Sequence, residues 1–256
     1  MIQENIYGHR KRLQWIISHL KKKDTIVELG CGTGTMITLP LLKLGFQITG
    51  VDPDEKSISF GQALFRNEGV DPQMLKMADI TELKVEPNVL IASEVIEHLS
   101  DRDLPVVMNA IRRVLRPGGK LLITVPNGYG WFELEKWLWS NCGLGRALER
   151  TRMDILCRKV KRHFLWAEPE NLTPSTLSNS QHIQRFTFQS IQHLLNGYGF
   201  DVIDRDGSVL VAGPFSNLFL TGLKHIMNWN NRMGSKFPRF AAGFFISCRL
   251  NSRHPS

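Results

Sequence analysis

The chain has 256 residues, enough to bury a sizeable core in one large α/β domain carrying a cap. Its 42% hydrophobic and 22% charged residues exclude a disordered or fibrous chain. A net charge of +8 is compatible with nucleic acid, an anionic membrane surface or an anionic substrate, and equally with a solvated basic face.

Leu13, Ile16, Ile17 and Leu20 fall at helical spacing, so His9 to Leu20 is expected to be a helix that packs on the core. Thr25 to Leu29 reads as a buried parallel strand, a nearly continuous apolar run. It leads into Gly30, Gly32 and Gly34, a turn that must be sharp and closely approached. A helix over Met36 to Leu44 follows, despite Pro40. The dinucleotide fingerprint G-x-G-x-x-G fails here, because its third glycine would fall on Thr35 or Ile37.

The second strand, Phe46 to Val51, ends in Asp52-Pro53 before a helix over Glu55 to Glu68. An acid there, about twenty residues after the glycine turn, can accept hydrogen bonds from two ribose hydroxyls. It could otherwise cap the helix. Gln73 to Ala78 is expected as a short third strand ending in Asp79-Ile80. The fourth, Asn88 to Ala92, opens into Ser93-Glu94-Val95-Ile96-Glu97-His98-Leu99. A helix over Asp103 to Leu115 leads to the Pro117–Lys120 turn and a strand over Leu121 to Val125.

The E-x-G-x-G-x-G run from Glu28, with Asp52, Asp79, the Glu94 segment and the "LRPGGKLLITVPN" passage, resembles class I S-adenosylmethionine (SAM)-dependent methyltransferases over about residues 24–126. The resemblance implies an α/β fold: a Rossmann-like, seven-stranded, mostly parallel sheet with an antiparallel last strand, helices on both faces and a helical cap insertion. It implies SAM as cofactor. Glu28, Gly30, Cys31, Gly32 and Gly34 would lie against its adenosine and methionine parts. Asp52 with Pro53 would meet the ribose, Asp79 and Ile80 the adenine, and Ser93 and Glu94 would face the glycine turn across the cofactor. The cleft should open between the first and fourth strands, where strand order reverses.

The "EVIEHL" segment resembles that of ubiquinone-biosynthesis-type O-methyltransferases. It implies Glu97 and His98 near the acceptor, with His182, just before Arg185-Phe186-Thr187, as a further catalytic candidate. If a helical turn starts at Glu94, then Glu94 lies on one face with Glu97 or His98. Small-RNA 2′-O-methyltransferases use a related Glu-x-x-His-His segment to hold a divalent metal. Glu94, Glu97, His98 and His182 are therefore the alternative metal set. Glu97 stands where those enzymes have histidine, and the segment is common in methyltransferases without metal, so the expectation is a base and no metal.

Residues 127–181 break the βα alternation and are expected to form a cap insertion after the fifth strand, with helices over Phe132 to Trp139 and Ala147 to Phe164. Trp131, Trp137, Trp139 and Trp166 lie there, suiting a large, partly apolar acceptor, or else simply packing the cap. A helix over Phe188 to Leu195 and strands over Phe200 to Ile203 and Ala241 to Arg249 complete a single domain of residues 1–256. Residues 213–240, with the apolar and basic Phe215 to Met233, form a second insertion, which with the cap could touch an anionic membrane.

The leading functional reading is O-methylation of a hydroxyl on a small or lipid-like acceptor. One rival is an RNA- or protein-directed methyltransferase, which the basic charge favours and the lack of a recognisable nucleic-acid module opposes. Another is a SAM-binding protein without turnover. Cys31, Cys142, Cys157 and Cys248 form no C-x-x-C pair, so neither zinc nor a disulfide framework is expected. The polar N-terminus and the lack of any run near ~18 apolar residues suggest a cytoplasmic protein, at most peripheral to a membrane. The oligomeric state is not legible.

Overall fold

The computed structural model describes residues 5–152, 155, 159 and 182–251. Seven strands form one sheet: β1 (Thr25–Leu29), β2 (Gln47–Asp52), β3 (Leu75–Met77), β4 (Val89–Ser93), β5 (Lys120–Pro126), β6 (Phe200–Gly207) and β7 (Gly243–Leu250). Their order is β3-β2-β1-β4-β5-β7-β6. Strands β1 to β5 pair in parallel, and β7 runs antiparallel to both β5 and β6. This is the mostly parallel sheet with an antiparallel last strand that the resemblance implies. Strand order reverses between β1 and β4, so the crevice at their carboxyl ends is the expected ligand site.

The helices among the described residues are α1 (His9–Ser18), α2 (Thr38–Lys43), α3 (Glu55–Asn67), α4 (Asp103–Val114), α5 (Trp131–Ser140), α6 (Leu144–Arg150), α7 (Phe188–Gly197), α8 (Pro214–Leu220) and α9 (Lys224–Lys236). They cover both faces, because successive strand residues point to opposite sides. Val27 and Leu29 pack with Met108 and Ile111 of α4 and Ile191 of α7. Ile26 packs with Leu13 and Ile16 of α1 and Leu41 of α2.

Three expectations are corrected. The third strand is shorter than Gln73 to Ala78: residues Pro72–Met74 form a 3-10 turn, with Asp71 accepting from the Gln73 amide, and only Leu75–Met77 pairs with β2. Pro72 fixes φ and has no amide to give a ladder. The helix after Gly34 begins at Thr38 rather than Met36, and Pro40 sits in its first turn, where no intrahelical donor is needed. Of the helix expected from Ala147 to Phe164, the first residues belong to α6, which starts earlier, at Leu144, and ends at Arg150 before a turn at Arg152 with φ 56°. Beyond Arg152 most of that expected segment, with Trp166, lies outside the described residues. No helix among the described residues is long and apolar enough to cross a membrane.

Candidate active site

The glycine turn begins where β1 ends. Gly30, Gly32 and Gly34 all have positive φ, at 65°, 54° and 69°. A Cβ on Gly30 would lie 2.6 Å from the Val95 side chain, whereas one on Gly32 would meet nothing within 4 Å. Gly30 is therefore needed for packing, and Gly32 faces open space. The turn is tied to β2 by the Cys31 amide, 3.1 Å from the Val51 carbonyl, and by the Gly32 amide, 2.8 Å from Asp52 Oδ2. Cys31 itself is buried, and burial pushes its thiol pKa up.

Asp52 is not the cap of α3. That role falls to Asp54, whose carboxylate accepts from the Ser57 amide at 2.7 Å. Asp52 instead accepts from the Gly32 amide and, through Oδ1, from the Asp54 amide at 2.9 Å. Each carboxylate oxygen keeps a lone pair for a further donor. The neighbouring Pro53 is exposed. Asp79 caps a 3-10 turn, accepting from the Thr81 amide and hydroxyl at 2.8 and 2.6 Å, and is exposed. Ile80 packs into the main core.

Glu28 is buried at the end of β1 and accepts from the Thr38 hydroxyl. Burial raises its pKa to about 7, and the nearby Arg12 charge opposes that rise. Arg12, on α1, lies 3.4 Å from Glu94, and its side chain is only 14% exposed. This residue was hidden in a run of basic side chains. Its signal was position: Arg12 stands four residues before Ile16, on the stripe that α1 buries.

The segment after β4 departs from the expected single helical turn. Glu94 has φ 56°, and the 3-10 turn spans only Ile96–His98. Glu94 thus diverges from its neighbours, pairing with Arg12 and accepting from the Thr124 hydroxyl at 3.0 Å. Ser93 meets the same Thr124 hydroxyl at 2.8 Å.

Glu97, His98 and His182 do come together. Each offers a ligand atom within 4.8 Å of the others, and Glu94 is outside this group. The His98 and His182 rings are 5.2 Å apart, edge to face. His98 Nε2 lies 3.7 Å from Glu97 Oε1. Glu97 is fully buried, and neither of its carboxylate oxygens accepts a hydrogen bond among the described residues. Burial first, and the Glu94 charge second, push its pKa well above the usual range. On the other side, His182 Nδ1 lies 3.7 Å from Glu133 of α5, and its ring packs 6.2 Å from that of Phe132. Tyr7 meets Phe132 in turn, with centroids 6.4 Å apart. Sequence reasoning named neither Tyr7 nor Glu133 for the site, since both reach it only through tertiary packing.

The glycine turn and Asp52 stand at the carboxyl ends of β1 and β2, and the Glu97–His98–His182 group stands beyond the end of β4. A sequence model described as a methyltransferase domain matches residues 7–205. The human mitochondrial ubiquinone biosynthesis O-methyltransferase is 34% identical over 111 residues, 40% of this chain and 28% of that protein. The putative methyltransferase YqeM of Bacillus subtilis is 30% identical over 121 residues, covering 45% and 48%. The chain thus spans less than half the length of these curated relatives. Magnesium protoporphyrin IX methyltransferase (ChlM) from Synechocystis PCC 6803, solved with bound SAH, shares the fold, with a TM-score of 0.54 and 12% identity over 94% of this chain and 80% of that one. The chain belongs to the methyltransferase domain family, among the class I SAM-dependent methyltransferases.

Proposed function

We propose that the chain transfers the methyl group of SAM to a hydroxyl oxygen of a small, apolar or lipid-like acceptor. The observation that carries this reading is the His98–His182 pair beside the buried Glu97 carboxyl. A relative named for O-methylation supports an oxygen acceptor. Apolar side chains exposed on α5, Leu134 and Trp137, support an apolar one. We read residues 127–181 and 213–240 as two insertions that flank its pocket.

The residues present suit the cofactor. Gly32 leaves room for a ligand against its backbone, and Asp52 has acceptor capacity for ribose hydroxyls. When bound, SAM supplies an electrophilic methyl group for an in-line displacement. The chain has to hold the acceptor oxygen in line and take its proton. His98 is the base in this reading. Glu97 stands beside the imidazole, 3.7 Å away, and burial keeps its carboxyl toward the protonated, neutral form. Phe132 and Tyr7 wall the group against water. Arg12 neutralises Glu94 and lowers the cost of keeping several carboxylates in one cleft.

A second reading rests on the same cluster. Three ligand atoms within 4.8 Å, one from a carboxylate that accepts no hydrogen bond, also suit a divalent ion that would lower a hydroxyl pKa.

Calorimetric titration with SAM and with S-adenosylhomocysteine, on wild type and Asp52→Ala, tests the cofactor half. Binding lost in the variant supports it, and a well-folded wild type that binds neither compound overturns it. A screen of hydroxylated acceptors for methyl incorporation then tests the oxygen reading. Activity abolished by EDTA and restored by Mg²⁺ or Mn²⁺ favours the metal reading. Activity indifferent to EDTA and lost in His98→Ala favours the base.

A further inference from the structure

Away from the glycine cleft lies a cavity of about 310 Å³, lined by Asn127, Tyr129, Trp131, Leu210, Arg239 and Phe240, among others. That is near the lower end of ligand sites, roughly 300–1,000 Å³. The first turn of α5 separates it from the histidine pair: Trp131 lines the cavity while the next residue, Phe132, packs on His182.

Its walls are fixed from behind by three buried polar side chains. Asn127 accepts from the Tyr129 amide at 3.1 Å and donates to the carbonyls of Arg239 and Ala241 at 3.3 and 3.0 Å. Glu135 holds the Trp131 indole, Nε1 to Oε1 at 2.5 Å. Asn230 accepts from the Leu210 and Val211 amides at 3.0 and 2.8 Å and returns a bond to the Val211 carbonyl at 2.7 Å. Three separate chain segments are thus locked in place, a rigidity that lowers the entropic cost of binding.

What this framework presents is apolar surface facing outward. Tyr129 and Phe240 are each 71% exposed and Trp131 46%, all three around one concavity. Grouped exposed rings are costly to leave in water and mark interaction sites. At the rim stands Arg239, whose guanidinium pairs with no acid among the described residues. From Gly207 to the end of the chain there is no acidic residue to neutralise this region. Aromatic faces beside an unneutralised guanidinium select an apolar body carrying an anionic group.

We propose that this cavity is a second ligand site, which takes a small organic anion with a flat apolar body, held by the Tyr129, Trp131 and Phe240 rings and by Arg239. The site stands on these walls and does not depend on the methyl-transfer reading.

The test is calorimetric titration of the full chain with 2-naphthoate and with its neutral counterpart, naphthalene-2-methanol. The expected result is saturable binding of the acid, roughly tenfold tighter than the alcohol, a difference set by the guanidinium. Arg239→Gln, an exposed change that leaves the fold intact, should weaken the acid to the level of the alcohol. Lys236→Gln, on the same insertion but outside the cavity, should leave both unchanged. Phe240→Ala should weaken both compounds alike. No saturable binding, equal binding of acid and alcohol by wild type, or equal losses in Arg239→Gln and Lys236→Gln would each overturn the proposal. Competition by SAM for the naphthoate would also overturn it, by assigning the binding to the cofactor cleft.

Discussion

The ring of His98 lies 5.2 Å from the ring of His182, edge to face, although the two residues are far apart in the chain. The backbone sets this contact. The amides of Ile183 and Gln184 both donate to the Glu97 carbonyl, at 2.8 and 2.9 Å. The chain returning to the sheet is thereby pinned to the loop after β4, and His182 arrives beside His98. If the pair handles one proton, His98→Ala should lower kcat by about 10²–10⁴ with SAM affinity nearly unchanged. His182→Ala should cost less, and the double variant little more than His98→Ala alone. Turnover with an acceptor and calorimetry with SAM separate the outcomes. Lost SAM affinity would move the pair to the cofactor side.

Two glycines two residues apart should respond differently to alanine. Gly30→Ala puts a methyl group 2.6 Å from Val95, in a backbone with φ 65°, so the expected effect is a lower Tm. Gly32→Ala meets no atom, and its cost at φ 54° is left-handed strain of about 1–2 kcal/mol. Its methyl group would occupy the open face assigned to the cofactor, so SAM affinity should fall roughly tenfold or more. Thermal melts and calorimetry on the two variants check this. A Gly32→Ala chain that binds SAM at wild-type strength removes Gly32 from the cleft.

The sheet was legible because buried parallel strands announce themselves as apolar runs, as in Val89 to Ala92 and Leu121 to Val125. The glycine turn was legible because glycine takes positive φ without the steric cost that a side chain brings. Side-chain assignments that depend on tertiary contact were less so. Arg12 looked like one of several solvated cations, yet α1 presses it against Glu94. Glu94 looked like part of a helical face, but its positive φ turns it away from Glu97. Asp52 could be read in sequence as a ribose acceptor or as the helix cap, and only the geometry gives the cap to Asp54 instead. The 213–240 insertion read as an apolar, basic excursion. Its order comes from Glu135 and Asn230, whose hydrogen bonds reach α8 and the segment after β6.

Glu28 should impose a pH dependence on the stability of the cofactor-free chain. Burial raises its folded pKa from the ordinary carboxyl value of 4.5 to about 7, so between those values the folded state holds a proton that the unfolded state has lost. Stability from this group is complete at pH below 4.5 and declines as pH rises to about 7, by roughly 2–4 kcal/mol. Glu28→Gln stays neutral and can still accept from Thr38. Its stability advantage over wild type should therefore grow across this window and level off above it. Denaturant melts at a series of pH values measure the gap, and a constant gap would mean that Glu28 is ionised in the folded chain.

Glu135 should be the tie between the two segments that flank the site. It is buried, and it accepts from the Trp131 indole, the Ser216 hydroxyl and, at 2.9 Å, the Ser216 amide. Ser216 is the third residue of α8, so a carboxylate on α5 caps the N-terminus of another helix. Gly213, just before α8, makes the approach possible, since a Cβ there would lie 2.4 Å from Glu135 Oε2. Glu135→Ala leaves these buried donors without their acceptor, at about 1–3 kcal/mol for each one that water cannot reach. In a chain of this size that corresponds to a fall in Tm of roughly 2–4 °C for each kcal/mol. Glu135→Gln keeps an acceptor oxygen and should fall less. Limited proteolysis should cut Glu135→Ala sooner between residues 213 and 223, while the β1–β5 half of the sheet stays protected. An unchanged Tm together with an unchanged cleavage pattern would mean that apolar packing alone, such as Phe215 on Trp139 at 5.0 Å, anchors α8.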